Sequence, residues 1–365
     1  MNTMIKDFDN YIKIKMKQMQ KAKMILTGAL LGLLLCSTGI SAQSYAIGAD
    51  LSFLKSIEDQ GYQFKEDGKP KSGLDIFADH GYNWIRLRLF HTPDRLPNNL
   101  AYTIALAQAA REKGMKFLLD YHYSDTWADP GKQYLPKAWE GLNFEVLVDS
   151  VYDYTRRTMI AFRDAGVFPD MVQIGNEVIN GMMWPMGKLP ENWDQFAALT
   201  QAGINGVHAS CANMPCPRIM IHIDRGGDVA RTKWFFDKFL SYGIDFDVIG
   251  QSYYPWWHGS LLDLRDNLYF MATTYHKPIW MVEVAYCSLP AEYKEHPGPF
   301  PETPEGQRDF LAAVHEEVLR APDHLGQGIF WWEPAASGPI GARDFFDEDG
   351  NVLPVIKVFD KWAKH

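Results

Sequence analysis

Glu177 closes the apolar run Met171-Val-Gln-Ile-Gly-Asn-Glu177, and Glu283 closes a second, Pro278-Ile-Trp-Met-Val-Glu283. A buried parallel strand reads as a β-rich apolar run, and in a (β/α)8 barrel the residues at strand C-termini form the active-site face. Two carboxylic acids converging on one mouth are what hydrolysis of a glycosidic bond by acid catalysis and nucleophilic attack requires. Taken alone, Asn176-Glu177 could equally cap the next helix. The second glutamate three runs later, preceded by Trp280 and followed by Tyr286, favours the catalytic reading.

Those glutamates need a scaffold, and the chain has the pattern of one. Apolar runs alternate with amphipathic stretches from Tyr45 onward, the βαβα signature of a parallel α/β fold. Eight runs are present, at 45–50, 84–90, 116–122, 171–176, 218–224, 246–252, 278–283 and 328–333. Eight is the number of a (β/α)8 TIM barrel. Between them, 101–114 repeats apolar residues at helical spacing and ends on glycine, and 303–320 begins with Thr303 as N-cap and Pro304 at the first helical position. The longest loops, 123–140, 179–191 and 285–302, all leave strand C-termini and therefore fall on the catalytic face.

Composition narrows the class. At 365 residues and 47% hydrophobic, the chain suits one barrel domain, expected over 43–365. A formal charge of −9 argues against nucleic acid or an anionic membrane as partner and fits a neutral ligand. The 12 tryptophans and 17 tyrosines are many for an ordinary globular protein; core packing accounts for most, and the others provide planes on which the C–H face of a pyranose can pack.

Residues 1–42 read as a removable export signal: lysines, then the apolar stretch Met24 to Cys36, then small residues up to Ala42. The apolar core is shorter than the roughly 20 residues that span a bilayer. Cys36 raises lipid attachment as an alternative, against which Leu35 is larger than the residue such cleavage sites usually carry. An exported chain that is secreted, periplasmic or surface-held is expected. In an oxidising compartment Cys211 and Cys216 can close a small loop, the alternative being two reduced thiols. No Cys/His cluster has zinc spacing, so neither a metal nor a cofactor is expected.

The chain resembles the endo-β-1,4-galactanases of glycoside hydrolase family 53, a branch of the clan of retaining (β/α)8 glycosidases. The resemblance covers residues 45–365. It rests on Gly48-Ala-Asp-Leu-Ser52, Trp84-Ile-Arg-Leu-Arg-Leu-Phe90, Leu118-Leu-Asp-Tyr-His-Tyr-Ser-Asp-Thr-Trp-Ala-Asp-Pro-Gly-Lys-Gln133, Gln173-Ile-Gly-Asn-Glu177, Gly250-Gln-Ser-Tyr-Tyr-Pro-Trp-Trp257, Val282-Glu-Val-Ala-Tyr286, Trp331-Trp-Glu-Pro334 and Phe346-Asp-Glu-Asp-Gly-Asn-Val-Leu-Pro354. It implies Glu177 as general acid/base and Glu283 as nucleophile, acting on β-1,4-galactan as a monomer. Some bacterial relatives bind calcium in the loop after run seven. Here that loop is proline-rich and poor in carboxylates, and no calcium is expected.

Around the pair, Arg88, with Arg86 as second choice, is expected to hold Glu283 ionised; the alternative is a structural ion pair with Asp50 or Asp120. Tyr254, or Tyr253, is expected to donate to Glu283, and His122 to contact sugar or tune Glu177. Asp125, Trp127, Asn176 and Trp332 are the candidates for sugar contact, and Trp184, Trp256 and Trp257 either extend the groove or fill gaps under loops. Two further readings stay open: a related retaining hydrolase on mannan or another β-1,4-glycan, and a non-catalytic galactan-binding protein.

Overall fold

Each apolar run becomes a strand because its β-branched and aromatic residues are buried on both faces, which only a sheet covered by helices outside and side chains inside can satisfy. The computed structural model describes residues 45–290, 297–336 and 341–363. The expected export segment and Cys36 lie outside the described residues, as does part of the loop after the seventh run.

The strands are β1 (Ala46–Asp50), β2 (Trp84–Leu89), β3 (Lys116–Tyr121), β4 (Met171–Ile174), β5 (Arg218–Ile223), β6 (Val248–Tyr253), β7 (Ile279–Val284) and β8 (Gly326–Trp332). They run parallel and close into one barrel, with Ala46 opposite Gly328 and Gly48 opposite Trp84 at the joining strand. The expected TIM barrel is the fold, and strand ends differ from the apolar runs by only one or two residues, as boundaries commonly do.

Helices α1 (Leu54–Asp59) and α2 (Gly73–Asp79) precede β2; α3 (Leu100–Glu112), α4 (Phe144–Asp164), α5 (Trp193–Ser210), α6 (Val229–Leu240), α7 (Leu261–Tyr275) and α8 (Pro304–Leu319) follow β2 to β7 in turn. Their starts are set chemically. Asn99, Asn143, Asp228, Ser260 and Thr303 each accept a hydrogen bond from a first-turn backbone N–H, and Pro304 takes the first helical position of α8. After β8 a 3-10 segment, Pro354–Trp362, packs on α8 in place of a further α-helix. Cys211 and Cys216 are bonded at the C-terminus of α5, on the end of the barrel where β5 begins.

Inside the barrel, composition changes with height. Ala46, Trp84, Leu118, Met171, Met220, Val248, Trp280, Val282 and Phe330 form one buried apolar cluster toward the strand N-termini. Its rings interlock, Trp84 edge-on to Trp280 at 5.0 Å and Trp280 stacked on Phe330 at 5.6 Å between centroids. Gly48 makes room, since a Cβ there would lie 2.2 Å from the Phe330 ring. Above this apolar floor the same strands carry buried Asp50, Arg86, Arg88, Asp120, Gln173, His222, Ser252 and Glu283. A polar layer of this density is sustainable only if its members pair with one another.

Candidate active site

Glu177 follows β4 after a sharp change of direction. Gly175 has φ +79°, and Glu177 itself is left-handed at φ 48°, ψ 52°, a conformation that costs a non-glycine residue free energy and recurs at functional sites. The turn sets the carboxyl beside β5 and β6. Ser252 Oγ donates to Glu177 Oε1 at 2.6 Å, and His222 Nε2 lies 2.8 Å from Ser252 Oγ. Gln173 Nε2 and the Glu177 backbone N–H donate to His222 Nδ1, at 3.1 and 3.4 Å. The network therefore assigns the proton to Nε2 and gives a directed chain: His222 donates to Ser252, which donates to Glu177. Burial, then the Arg86 cation, holds the His222 pKa well below its ordinary value, so the ring is neutral.

Glu283 belongs to β7, and its position depends on an irregularity. Gln251 of β6 pairs with Met281, but the next residue, Ser252, pairs with Glu283, so Val282 is an extra residue in β7. Bulges of this kind re-aim side chains and are frequent beside active sites. Tyr254 donates to Glu283 Oε2 at 2.8 Å, and Arg86 Nη1 lies 2.9 Å from Glu283 Oε1. Tyr253 instead donates to the Gly259 carbonyl at 3.0 Å.

Here one expectation is corrected. Arg86, not Arg88, holds Glu283. Besides that contact, its guanidinium reaches Asp50 and Asp120 at 2.9 Å, Asn176 Oδ1 at 2.8 Å and Gln173 Oε1 at 3.2 Å, so its fork is fully used. Arg88 pairs with Asp50 at 3.4 Å and with Glu333, at the end of β8. The two arginines share a strand face but sit at different heights, and the bulge brings Glu283 level with the lower one.

Electrostatics separates the two carboxyls. Burial is the largest influence on Glu177, reinforced by Glu283 and Asp224, and raises its pKa well above the ordinary carboxyl value. Asp224, after β5, is itself raised to about 7 by burial. Burial raises the Glu283 pKa as well and sets its net direction, with Arg86 and then Tyr254 offsetting part of that rise. The Tyr254 phenol stays protonated, because burial and then the neighbouring glutamates raise its pKa. A proton shared between the pair thus resides on Glu177, the division of labour that acid catalysis plus nucleophilic attack needs. One oxygen of each glutamate and a His222 ring nitrogen all lie within 4.8 Å of one another. This close approach suits the roughly 5–5.5 Å carboxyl separation of retaining glycosidases better than the about 6.5–9.5 Å of inverting ones.

Removing the Ser252 donor tests the chain to Glu177. Ser252 favours the ionised carboxyl, so Ser252→Ala raises the Glu177 pKa further. The high-pH limb of kcat/KM, where activity falls as Glu177 loses its proton, should then move upward by about one to two pH units. An unchanged limb in a pH-rate profile would show that Ser252 does not govern Glu177.

A cavity of about 450 Å³ opens over Glu283. Trp127 and Trp332 line it, 6.0 Å apart at their ring centroids, with His122 and Asn176 also in its wall. Asn176 is fixed by accepting from Arg86 and donating to the Ala128 carbonyl at 2.9 Å. His122 accepts at Nδ1 from Ala128 N at 3.0 Å and faces Asp120 at 3.0 Å through Nε2, so it holds the loop bearing Trp127 and makes no contact with Glu177.

Asp125, a candidate for sugar contact, is not among the residues that line this cavity. Its carboxylate accepts from the Thr92 and Lys137 backbone N–H groups, each at 2.8 Å, and pins the loop's shape. Trp256 is buried against Tyr286, ring centroids 5.6 Å apart, and so packs beneath a loop, whereas Trp257 is 55% exposed. Trp184 donates to the Asn180 carbonyl at 2.9 Å and carries Lys188 over its ring.

His222, Ser252, Asp224 and Glu333 were not singled out from sequence. All four stand in or just after apolar runs near strand C-termini, the same signal that marked the two glutamates.

Comparison with known proteins gives the family. A family model, Glycosyl hydrolase family 53, matches residues 46–359. A probable arabinogalactan endo-β-1,4-galactanase A from Neosartorya fischeri is 36% identical over 86% of this chain and 90% of the relative. The arabinogalactan endo-β-1,4-galactanase of Cellvibrio japonicus is 33% identical over 86% of this chain and 87% of its own length. Among solved structures, the family 53 catalytic domain from Ignisphaera aggregans superposes with a TM-score of 0.81 at 32% identity, over 90% of this chain and 98% of that domain. The match runs from the first strand of the barrel through its last packed segment, and on it the chain belongs to glycosyl hydrolase family 53.

Proposed function

We infer that the chain hydrolyses β-1,4-galactosidic bonds within galactan and type I arabinogalactan, with retention at the anomeric carbon. The observation that carries the chemistry is the close pair of buried glutamates, one held protonated and one supported by Arg86 and Tyr254. The substrate rests on the family and on relatives that carry the galactanase name over most of their length.

In the first step a Glu283 oxygen bonds to the anomeric carbon as the glycosidic C–O bond breaks, and Glu177 gives its proton to the departing oxygen. Ionised Glu177 then takes a proton from water, whose oxygen attacks the same carbon and releases Glu283. Each sugar inversion is undone by the other. The anionic Glu283 that departs is stabilised again by Arg86 and Tyr254. Action outside the cytoplasm is part of this reading, and the bonded Cys211–Cys216 pair supports it.

The test is chromatography of products from linear β-1,4-galactan, with mannan and xylan alongside, using the parent and Glu177→Ala. Mixed galacto-oligosaccharides appearing early from the parent alone would establish internal cleavage that needs Glu177. No release from galactan would overturn the reading and favour another glycan or a binding role.

A further inference from the structure

The Arg88–Glu333 pair has no part in the chemistry above, although both residues are buried at the catalytic end of the barrel, Arg88 1% and Glu333 0% exposed. Burying an arginine and a glutamate is costly unless their arrangement returns something the apolar alternative would not. The surroundings show what it returns. The Arg88 guanidinium carbon lies 4.3 Å from the Trp127 ring centroid and 4.8 Å from that of Phe53, in the corner formed by these two rings, whose centroids are 5.9 Å apart and whose planes meet at 67°. Both rings line the cavity. Glu333 is the residue after Trp332, with φ 50° at the abrupt end of β8. Anchoring Glu333 therefore also anchors the backbone that carries Trp332.

From this juxtaposition we propose that Arg88 is a positioning residue that, held by Glu333 and Asp50, sets Trp127 and Trp332 as the two aromatic walls for a galactopyranose ring. The proposal rests on the galactanase reading and deepens it by naming what shapes the sugar site. Two carboxylates hold the guanidinium, and a third contact holds the Arg88 backbone. Asp50 and Glu333 neutralise it from β1 and β8, and Ser52, which donates to Asp50 at 2.5 Å, also accepts from the Arg88 backbone N–H at 3.0 Å. Trp127 is gripped from the sides by Phe53, Phe90 and Trp332, at centroid distances of 5.9, 5.8 and 6.0 Å, and among the described residues Arg88 is the one cation over its face. Lysine can keep the charge but lacks the planar guanidinium that stacks on an aromatic face.

The test is a double-mutant cycle on galactan with the parent, Arg88→Lys, Trp127→Ala and the double variant, run with thermal unfolding of each. Arg88→Lys should raise KM roughly 2- to 30-fold with kcat little changed, and that rise should vanish in the Trp127→Ala background. A charge-neutral pair of changes, Arg88→Met with Glu333→Gln, leaves no unpaired buried charge and should show the same KM increase. An active parent whose Arg88→Lys keeps the parent KM, or loses it equally with Trp127 absent, overturns the proposal alone. A merely structural arginine would lower the unfolding temperature and kcat together and leave KM in place, which also overturns it. A parent that releases nothing from galactan overturns the galactanase reading, and this proposal with it.

Discussion

Glu283→Ala and Glu177→Ala should both lose turnover on galactan, by at least the roughly 10²–10⁴-fold that a positioned acid–base group supplies, and azide should then restore turnover of an aryl galactoside, with products of opposite stereochemistry from the two variants. In Glu177→Ala, an aryl galactoside with a good leaving group needs no proton, so the galactosyl-Glu283 ester still forms and accumulates. Azide attacks its anomeric carbon and Glu283 leaves, a second inversion that yields the β-azide. In Glu283→Ala no ester can form. Azide enters the space beside the anomeric carbon directly, a single inversion that yields the α-azide. Proton NMR of the two products distinguishes them. Products of the same configuration from both variants, or the reverse assignment, would remove the roles given to the two glutamates.

Arg86→Met should be the most destabilising single change in the mouth. Arg86 faces Asp50, Asp120 and Glu283 at 2.9 Å each, and these carboxylates are 0%, 0% and 5% exposed. Burial alone would lower its pKa, but Asp120, Glu283 and Asp50 together outweigh burial and raise it, which measures how strongly they hold the charge. Without it, three acidic groups are left in a dry site, and breaking one buried pair typically costs about 3–5 kcal/mol. The denaturant midpoint should fall accordingly. In whatever fraction stays folded, Glu283 loses the cation that draws its pKa down, so its pKa rises. Activity requires Glu283 ionised, and the low-pH limb of kcat/KM therefore moves to higher pH. A variant with the parent midpoint and an unmoved limb would show that the network does not carry the site.

The barrel was legible because its strands are buried on both faces and stand out as eight apolar runs against amphipathic helices. The placing of Glu177, Glu283, Asn176 and Trp332 at the catalytic end of the barrel was legible because all four stand where such runs end. What one strand cannot reveal is its neighbour's height. Arg86 and Arg88 lie on one face about 6.6 Å apart along β2, at about 3.3 Å per residue. Choosing between them requires the register of β7, which turns on the extra Val282. The loop-holding bonds of Asp125 were hidden for a different reason. A loop carboxylate serves backbone N–H groups as readily as sugar hydroxyls, and the N–H groups of Thr92 and Lys137 come from segments that only the folded chain brings near. The His222–Ser252 chain was hidden because neither residue is unusual until β5 and β6 are placed side by side.

The loops after β3 and β4 are sewn together. Trp184 N–H donates to the Gln133 carbonyl at 2.7 Å, Gln133 donates to the Asn176 carbonyl at 2.8 Å, and Asn180 donates to the Pro130 carbonyl at 2.9 Å. These bonds frame the segment that carries Glu177, and none of them involves a sugar. The conformational entropy of ordering that part of the mouth is therefore lost once, when the chain folds, rather than at every encounter with a polymer. For a protein that meets its substrate as a long, repetitive strand, each new register along the galactan finds the acid already aimed.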